Sequence, residues 1–487
     1  MKKLHISRRL VTLSPCHLVT WVGSGALILA LALLPLKTIA LAIGLGLALA
    51  LPLIDPVFGL YWVVLSVPVQ ELAQLPGGLS YTQAAMLLAV GAWALRALAH
   101  PERPIAKTRL FPLWIALLWA LLLSMSFTPY SRIAALKETL HWAEAFLVWL
   151  IAVNTLRRPW HIAGLLACLL FAPAADAAIG LAQFAMGDGP PSFRITAGSP
   201  YVRAYGTIGA PNSFAGYLNM AWPLALALAV GTAIQLYQRS QNREPRTQRT
   251  VLVVCSLFFV LCSLLLVGGL LASFSRGAWL GALAGLLAMV LALGRPFNRW
   301  AAVAVAGAGL LLALGSAGLL PAPVAARVAS IARSVSIFDA GSVEVTDENF
   351  ALVERMAQLQ AGWRMFRAHP LIGVGPGNYT PAYADFAVFP WYASRGHAHN
   401  YYLHMAAEAG LVGALAYLAL LGGVVRQALV ALRRATGVLR RSVLIGCCGI
   451  IAATAGHELF ENLHALSMGI QLAAVWGLVS VIANHYE

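Results

Sequence analysis

Apolar residues in this chain run on for some twenty positions at a time, and the polar residues fall in the gaps between runs. A bilayer core about 30 Å thick needs about 20 apolar residues per helix, and about 14 runs of that kind can be placed. They centre near Leu27, Ile43, Val64, Leu88, Leu117, Phe146, Leu166, Leu224, Phe259, Leu286, Val305, Leu415, Ile450 and Ala474. The third, Val57 to Val69, is short. The pattern predicts an all-α polytopic membrane protein with about 12–14 transmembrane helices. Residues 1–17 are expected as a cytoplasmic N-terminus and 18–320 as a bundle of about 11 spans. An extracytoplasmic loop with short helices would cover 321–399, the last three spans 400–483, and a cytoplasmic tail 484–487. The first run follows MKKLHISRRL, as the core of a signal peptide would. No convincing small-residue cleavage site precedes the second run, so a retained signal-anchor is expected.

Two interruptions stand out by length. One, from about Gly187 to Pro211, is rich in Gly, Pro and Ser. The other, from about Pro321 to His399, far exceeds an ordinary connection, and loops of that length are usually functional or disordered. Within it Phe350, Val353, Met356, Trp363 and Phe366 recur at roughly helical spacing, with Glu354, Arg355, Gln358 and Arg364 interleaved. That spacing predicts an amphipathic helix on the outer surface or capping the bundle.

Composition agrees with the pattern. Of the 487 residues, 60% are hydrophobic and 10% charged. A soluble domain carries about 25% charged residues, which excludes a large soluble enzyme, and so apolar a chain cannot be intrinsically disordered. The balance of 33 Lys and Arg against 18 Asp and Glu, a net charge of +15, would suit a nucleic-acid partner if it formed one patch. It does not: most of the basic residues fall in alternate loops. Lys2, Lys3, Arg8 and Arg9 begin the series, and Arg433, Arg434, Arg440 and Arg441 close it. The positive-inside rule then places both termini in the cytoplasm with an even number of spans, and nucleic-acid binding is rejected. None of the six cysteines falls in a predicted outer segment, which argues against a disulfide framework.

The few polar residues of the predicted outer face cluster. Arg203-Ala-Tyr-Gly-Thr-Ile-Gly-Ala-Pro-Asn212 puts an arginine, a Gly-rich turn and an asparagine at the mouth of the eighth span. Ser273-Phe-Ser-Arg276-Gly-Ala-Trp-Leu280 puts an arginine in a very short turn between two apolar helices. A guanidinium so near hydrocarbon is costly unless an anion compensates it, although one at a helix end can also snorkel to the interface. His397-Ala-His399-Asn400 enters the twelfth span; the two histidines alternate as metal ligands do, but the sequence offers no evident third ligand, so no metal is expected. His457-Glu458 starts a zinc-protease motif that fails at Glu461. Glu138, His141 and Glu144 share a helix face and, with Asp176, either mark an ion pathway or hydrogen-bond between helices.

Taken in order, these motifs resemble the O-antigen ligase and polymerase superfamily of integral-membrane glycosyltransferases, which act on polyprenyl-diphosphate-linked sugars. The ligase branch has an arginine, three residues and a leucine, matched by Arg276-Gly-Ala-Trp-Leu280. It also has a histidine and a small polar residue, nine residues, a glycine, two residues and a small residue; His399-Asn400, Gly410 and Gly413 match. Arg203 within RAYGTIGAPNSFAGYL and the segment His369-Pro-Leu-Ile-Gly-Val-Gly-Pro-Gly-Asn378 are similar to family patterns as well. The likeness covers roughly Ala178 to Val425, and the number of apolar runs exceeds the usual count of the ligase branch. It implies a multi-pass protein of the cytoplasmic membrane with its active site outside, an undecaprenyl-diphosphate-linked glycan as donor, a lipid or glycan acceptor, and a metal-independent reaction without cofactor. On chemical grounds the arginines would stabilise a diphosphate leaving group and the imidazole would take the acceptor's proton. The expected catalytic residues are His399, Arg276 and Arg203, with Arg355, Asn212 and Asn400 binding substrate. Polymerisation of repeat units on the same carrier is an alternative. A bicarbonate-type transporter is another, and it would concentrate its polar groups at mid-membrane around Glu138, Glu144 and Asp176.

Overall fold

A computed structural model describes residues 36–484, apart from 71, 73–78, 103, 107, 196–198, 243–244, 295–302, 304–306, 308–309, 311–313, 315–316, 318, 320–336 and 347–348. The apolar runs near Leu27 and Val305, the start of the long loop and the two terminal segments therefore lie outside the described residues. The chain divides into two compact units, residues 1–55 and 56–487. Of the first, helix α1 is described, Leu36–Ile54. The second begins with α2, Val57–Ser66, which tightens into a 3₁₀ turn at Val67–Val69. Then come α3 (Tyr81–Ala99), α4 (Phe111–Ser126), α5 (Arg132–Thr155), α6 (Pro159–Met186), α7 (Pro211–Asn219), α8 (Trp222–Gln241), α9 (Arg246–Ala272) and α10 (Arg276–Leu293). After the long loop begin α11 (Phe350–Ala368), α12 (Tyr379–Phe386), α13 (Tyr401–Arg434), α14 (Val438–His457) and α15 (Met468–Asn484).

The fold is all-α, as the apolar runs predict; among the described residues the β-type pairing is limited to the isolated bridges Arg194–Val202 and Val388–Trp391. Seven segments among them are long and apolar enough to cross a bilayer: α3, α6, α7 with α8, α9, α10, α13 and α14. The predicted count of about 12–14 is larger for identifiable reasons. Helices α2, α4 and α15 are apolar but short, and α5 carries Arg132, Lys137, Glu138 and Glu144. Helix α15 compensates for its length by burial on nearly every side, the mark of a helix at the centre of a bundle. It is tied there by polar bonds: Trp149 on α5 donates to the Ser480 hydroxyl at 3.1 Å, and Ser480 donates to Gln427 on α13 at 2.9 Å.

Two local features set the geometry of the functional end. The first is a glycine stripe. Gly277, Gly281 and Gly285 follow one another at helical spacing along α10, facing His457, Ala453 and Gly449 of α14. A Cβ on Gly281 would sit 2.5 Å from the Ala453 carbonyl oxygen, and one on Gly285 would sit 2.8 Å from that of Gly449. Small residues let membrane helices approach backbone to backbone. Here they draw the first turn of α10, with Arg276, against the end of α14.

The second is a break in α13. Gly410 has φ +64 and ψ −167, a region essentially closed to residues with a Cβ. Breaking the helix frees backbone groups, and at membrane depth these need protein partners. The His369–Asn378 segment supplies them. Val374 N–H donates to the Ala407 carbonyl at 3.0 Å and Gly375 N–H to that of Glu408 at 2.8 Å. On the far side of the break, Leu411 N–H donates to the Pro370 carbonyl at 2.8 Å. The Glu408 carboxylate accepts from Gly377 N–H at 2.8 Å and Tyr379 N–H at 2.9 Å. The loop is thus stitched into α13, and a Cβ at Gly410 would overlap the backbone of Leu371 and Ile372. Gly410→Ala is expected to destabilise the protein by about 3 kcal/mol or more, read as a lower Tm of the detergent-purified protein.

The helix predicted around Phe350 to Phe366 exists as α11, and its buried face follows the predicted stripe only in part. Val353 and Met356 are buried, whereas Phe350 and Trp363 are 45% and 50% exposed. The inward stripe continues instead through Ala357, Gln358, Ala361 and Gly362. Small residues win there because α11 presses on Ala398 and Tyr379, the nearest neighbours of Gly362. Gln358 is satisfied in that wall by Tyr383, by the Ala393 carbonyl and by Arg395 N–H.

Candidate active site

Arg203 is positioned by backbone before its side chain acts. Its N–H donates to the Phe193 carbonyl at 2.9 Å, and the next residue, Ala204, donates to Ala272 at the end of α9 at 2.9 Å. The guanidinium Nε then donates to the Ser273 carbonyl at 2.8 Å, and Nη2 donates to Asn212 Oδ1 at 2.8 Å. Asn212 stands in the first turn of α7, and Asn219 at the other end of that helix donates to the Ala278 carbonyl of α10 at 3.0 Å. The loop behind Arg203 is anchored by Asp176 of α6, which accepts from the Thr207 N–H at 2.6 Å and hydroxyl at 2.9 Å. Asp176 therefore serves as a tether for this loop. Glu138 faces His141 at 3.4 Å in the same helix rather than reaching Asp176.

Arg355 comes from α11. Its guanidinium donates to the carbonyl oxygens of His399 and Phe460 and lies over the Phe460 ring, 5.4 Å from the centroid. Burial lowers its pKa first of all, Glu461 opposes that shift, and Arg276 adds to it. Arg276 thus lies close enough to Arg355 for their charges to repel. Such crowding is costly in a partly dehydrated site and favours an anion that enters between them.

His399 stands just before the N-cap of α13. It holds φ +53, uncommon for a residue with a side chain. Its N–H donates to His397 Nδ1 at 3.1 Å, so His397 presents its other nitrogen, Nε2, to Glu461 Oε1 at 2.8 Å. His399 Nδ1 is 4.0 Å from the same carboxylate oxygen. Glu461 is buried, which alone would raise its pKa; the hydrogen bond and charge of His397, then His399 and His457, hold the carboxyl well below the usual range. His399 goes the other way. Burial pushes it down to about 3, His397, Arg355 and Arg395 add to the shift, and Glu461 resists it. The imidazole is therefore neutral at pH 7, with an unprotonated nitrogen available to accept a proton.

These groups line one cavity of about 250 Å³. Arg203, Asn212, Arg276, Arg355 and His399 all border it, from four separate stretches of sequence. Asn400 does not. Its side chain accepts from Leu403 N–H at 3.0 Å and caps α13, which fixes the direction in which the helix leaves His399. Sequence reasoning missed Glu461, His457 and Glu354, which also border the cavity. The signal for the first two was present as His457-Glu458-x-x-Glu461, the motif set aside for lacking a second histidine. The expected absence of a third ligand beside His397 and His399 is corrected by Glu461, since ligand atoms of all three lie within 4.8 Å of one another. Among the described residues, these three are the group that could hold a metal ion. Three guanidiniums in the same cavity oppose a dication there, and they suit a diphosphate well.

Among the curated proteins none matches the chain. The family model described as O-antigen ligase matches residues 261–418. That stretch holds Arg276, Arg355, His399 and the Gly410 break, while Arg203, Asn212 and Glu461 lie outside it and join the same cavity. Over this third of the chain the protein is similar to the O-antigen ligase family, and its long apolar helices are those of a multi-pass membrane protein.

Proposed function

We propose that the protein transfers a glycan from undecaprenyl diphosphate to an acceptor hydroxyl at the outer face of the cytoplasmic membrane, in the manner of an O-antigen ligase. The observation that supports this reading is the convergence of Arg203, Arg276 and Arg355 with a neutral, half-buried His399 around one cavity. In the proposed step the acceptor oxygen attacks the anomeric carbon and its proton passes to His399. The bond from that carbon to the diphosphate oxygen breaks with its electron pair, which the guanidiniums stabilise as charge builds in the transition state. Attack from the opposite side inverts the anomeric centre. Binding of the anionic donor also raises the basicity of His399, because it offsets the positive charges that depress it. Glu461 then acts as a positioning residue, holding the His397–His399 pair and balancing the imidazolium as it forms.

The charge of the divalent ion that many glycosyltransferases use is supplied here by arginine, so the reaction is proposed to be metal-independent. Transfer by purified protein should be unchanged in excess EDTA. Loss of activity that Mg²⁺ or Zn²⁺ restores would assign His397, His399 and Glu461 to a metal instead. A transporter fits less well, because Asp176 is engaged by Thr207 and the cationic groups gather at one end of the bundle. Polymerisation of repeat units would use the same chemistry with another acceptor. A deletion strain separates the two: ligase loss leaves polymer on the lipid carrier, and polymerase loss leaves single repeats transferred. Unaltered surface glycan in that strain would overturn both.

A further inference from the structure

A second cavity, of about 600 Å³, lies between α10, α13 and α14. Its walls are apolar, with Ala288, Leu421 and Ile451 among them, and two charged residues border it, Arg433 and Arg441. Both arginines are exposed, and they flank the turn at Gly437 that joins α13 to α14. From Ala409 to His457 the sequence contains five arginines and no Asp or Glu. Beyond its break at Gly410, α13 carries the chain from Leu411 to Arg433, roughly 33 Å at 1.5 Å per residue, against a hydrocarbon core of about 30 Å. The two arginines therefore stand at the membrane face opposite the active site.

We propose that this cavity binds one anionic glycerophospholipid of the leaflet opposite the active site. Arg433 and Arg441 hold its phosphate, and an acyl chain lies along α14 toward Ala455. Apolar walls with guanidiniums at one end match such a molecule, and basic pockets between membrane helices are known to take anionic head groups. The donor of the proposed reaction does not fit this orientation. Its diphosphate belongs at the other end of α10, where Arg276 is, so its tail would enter with no phosphate near Arg433. The exclusion of the donor rests on the reaction proposed above; the cavity and its two arginines do not.

The test uses full-length protein in nanodiscs of phosphatidylglycerol or phosphatidylcholine, followed by extraction in mild detergent and mass spectrometry of the retained lipid. Phosphatidylglycerol should be retained at about one molecule per chain, with a roughly thirtyfold preference over phosphatidylcholine. The Arg433→Gln/Arg441→Gln variant should lose that preference. Ala452→Phe, which fills the apolar part without touching the charge, should lose retention of both lipids. Equal retention of the two lipids, unchanged retention in both variants, or a polyprenyl phosphate co-purifying in their place would each overturn the proposal.

Discussion

His399→Ala is expected to lower glycan transfer by about 10³-fold, within the range for loss of a general base, while the protein still inserts and folds. The side chain is small and lines a cavity, so its removal creates no large core void. The pH profile adds a readout that a structural role would not give. Because burial holds His399 near 3, its unprotonated form persists as pH falls from 7 to 5, and kcat/KM should not decline there on its account. An acid limb near the ordinary value of about 6.5 would contradict the assignment. Glu461→Gln removes the negative charge that holds the His399 pKa up. The limb should move to still lower pH and the plateau rate should fall, since a weaker base accepts the proton less well. A limb that moves upward in Glu461→Gln would remove Glu461 from the positioning role.

Arg276→Ala carries the second large effect. Loss of one donor aimed at developing charge costs about 10²–10³-fold in kcat, and a guanidinium facing a diphosphate belongs at the upper end. The fall should appear in kcat more than in KM, because the charge it stabilises grows as the bond breaks. Arg276→Lys should recover only part, since an ammonium offers a point charge in place of a planar fork. Arg203→Ala should resemble it with an added loss of stability, because Arg203 also ties the end of α9 to α7. A change in KM alone for both variants would mean that the arginines bind the donor without assisting the departure of its diphosphate.

Much of this site was legible in the sequence, and for a physical reason. In so apolar a chain each arginine near a span end carries a solvation cost, so Arg203, Arg276 and His399 stand out against a quiet background. The all-α architecture followed from the same contrast. The burial pattern of α11 did so only in part, because the aromatic residues there are the conspicuous apolar signal and the buried wall is built from alanine and glycine. Glu461 was missed because a carboxylate just beyond α14 has no periodic signature; only the fold brings it to histidines more than sixty positions earlier. Asn400 was assigned to substrate from its place in a motif, while its hydrogen bond assigns it to the start of α13.

The spread of the site along the chain has a consequence for biogenesis. Arg203 emerges from the ribosome long before Glu461, and the His369–Asn378 loop has been synthesised before the part of α13 that it laces into. No nascent intermediate that ends before Glu461, just beyond α14, possesses both the cations and the carboxylate that faces His399. On the proposed reading, the centre is therefore incomplete until the chain has been made through Glu461. On the proposed reading, a chain stalled or cut short before Glu461 would lack the carboxylate that holds the His397–His399 pair, and would be unable to carry out the transfer.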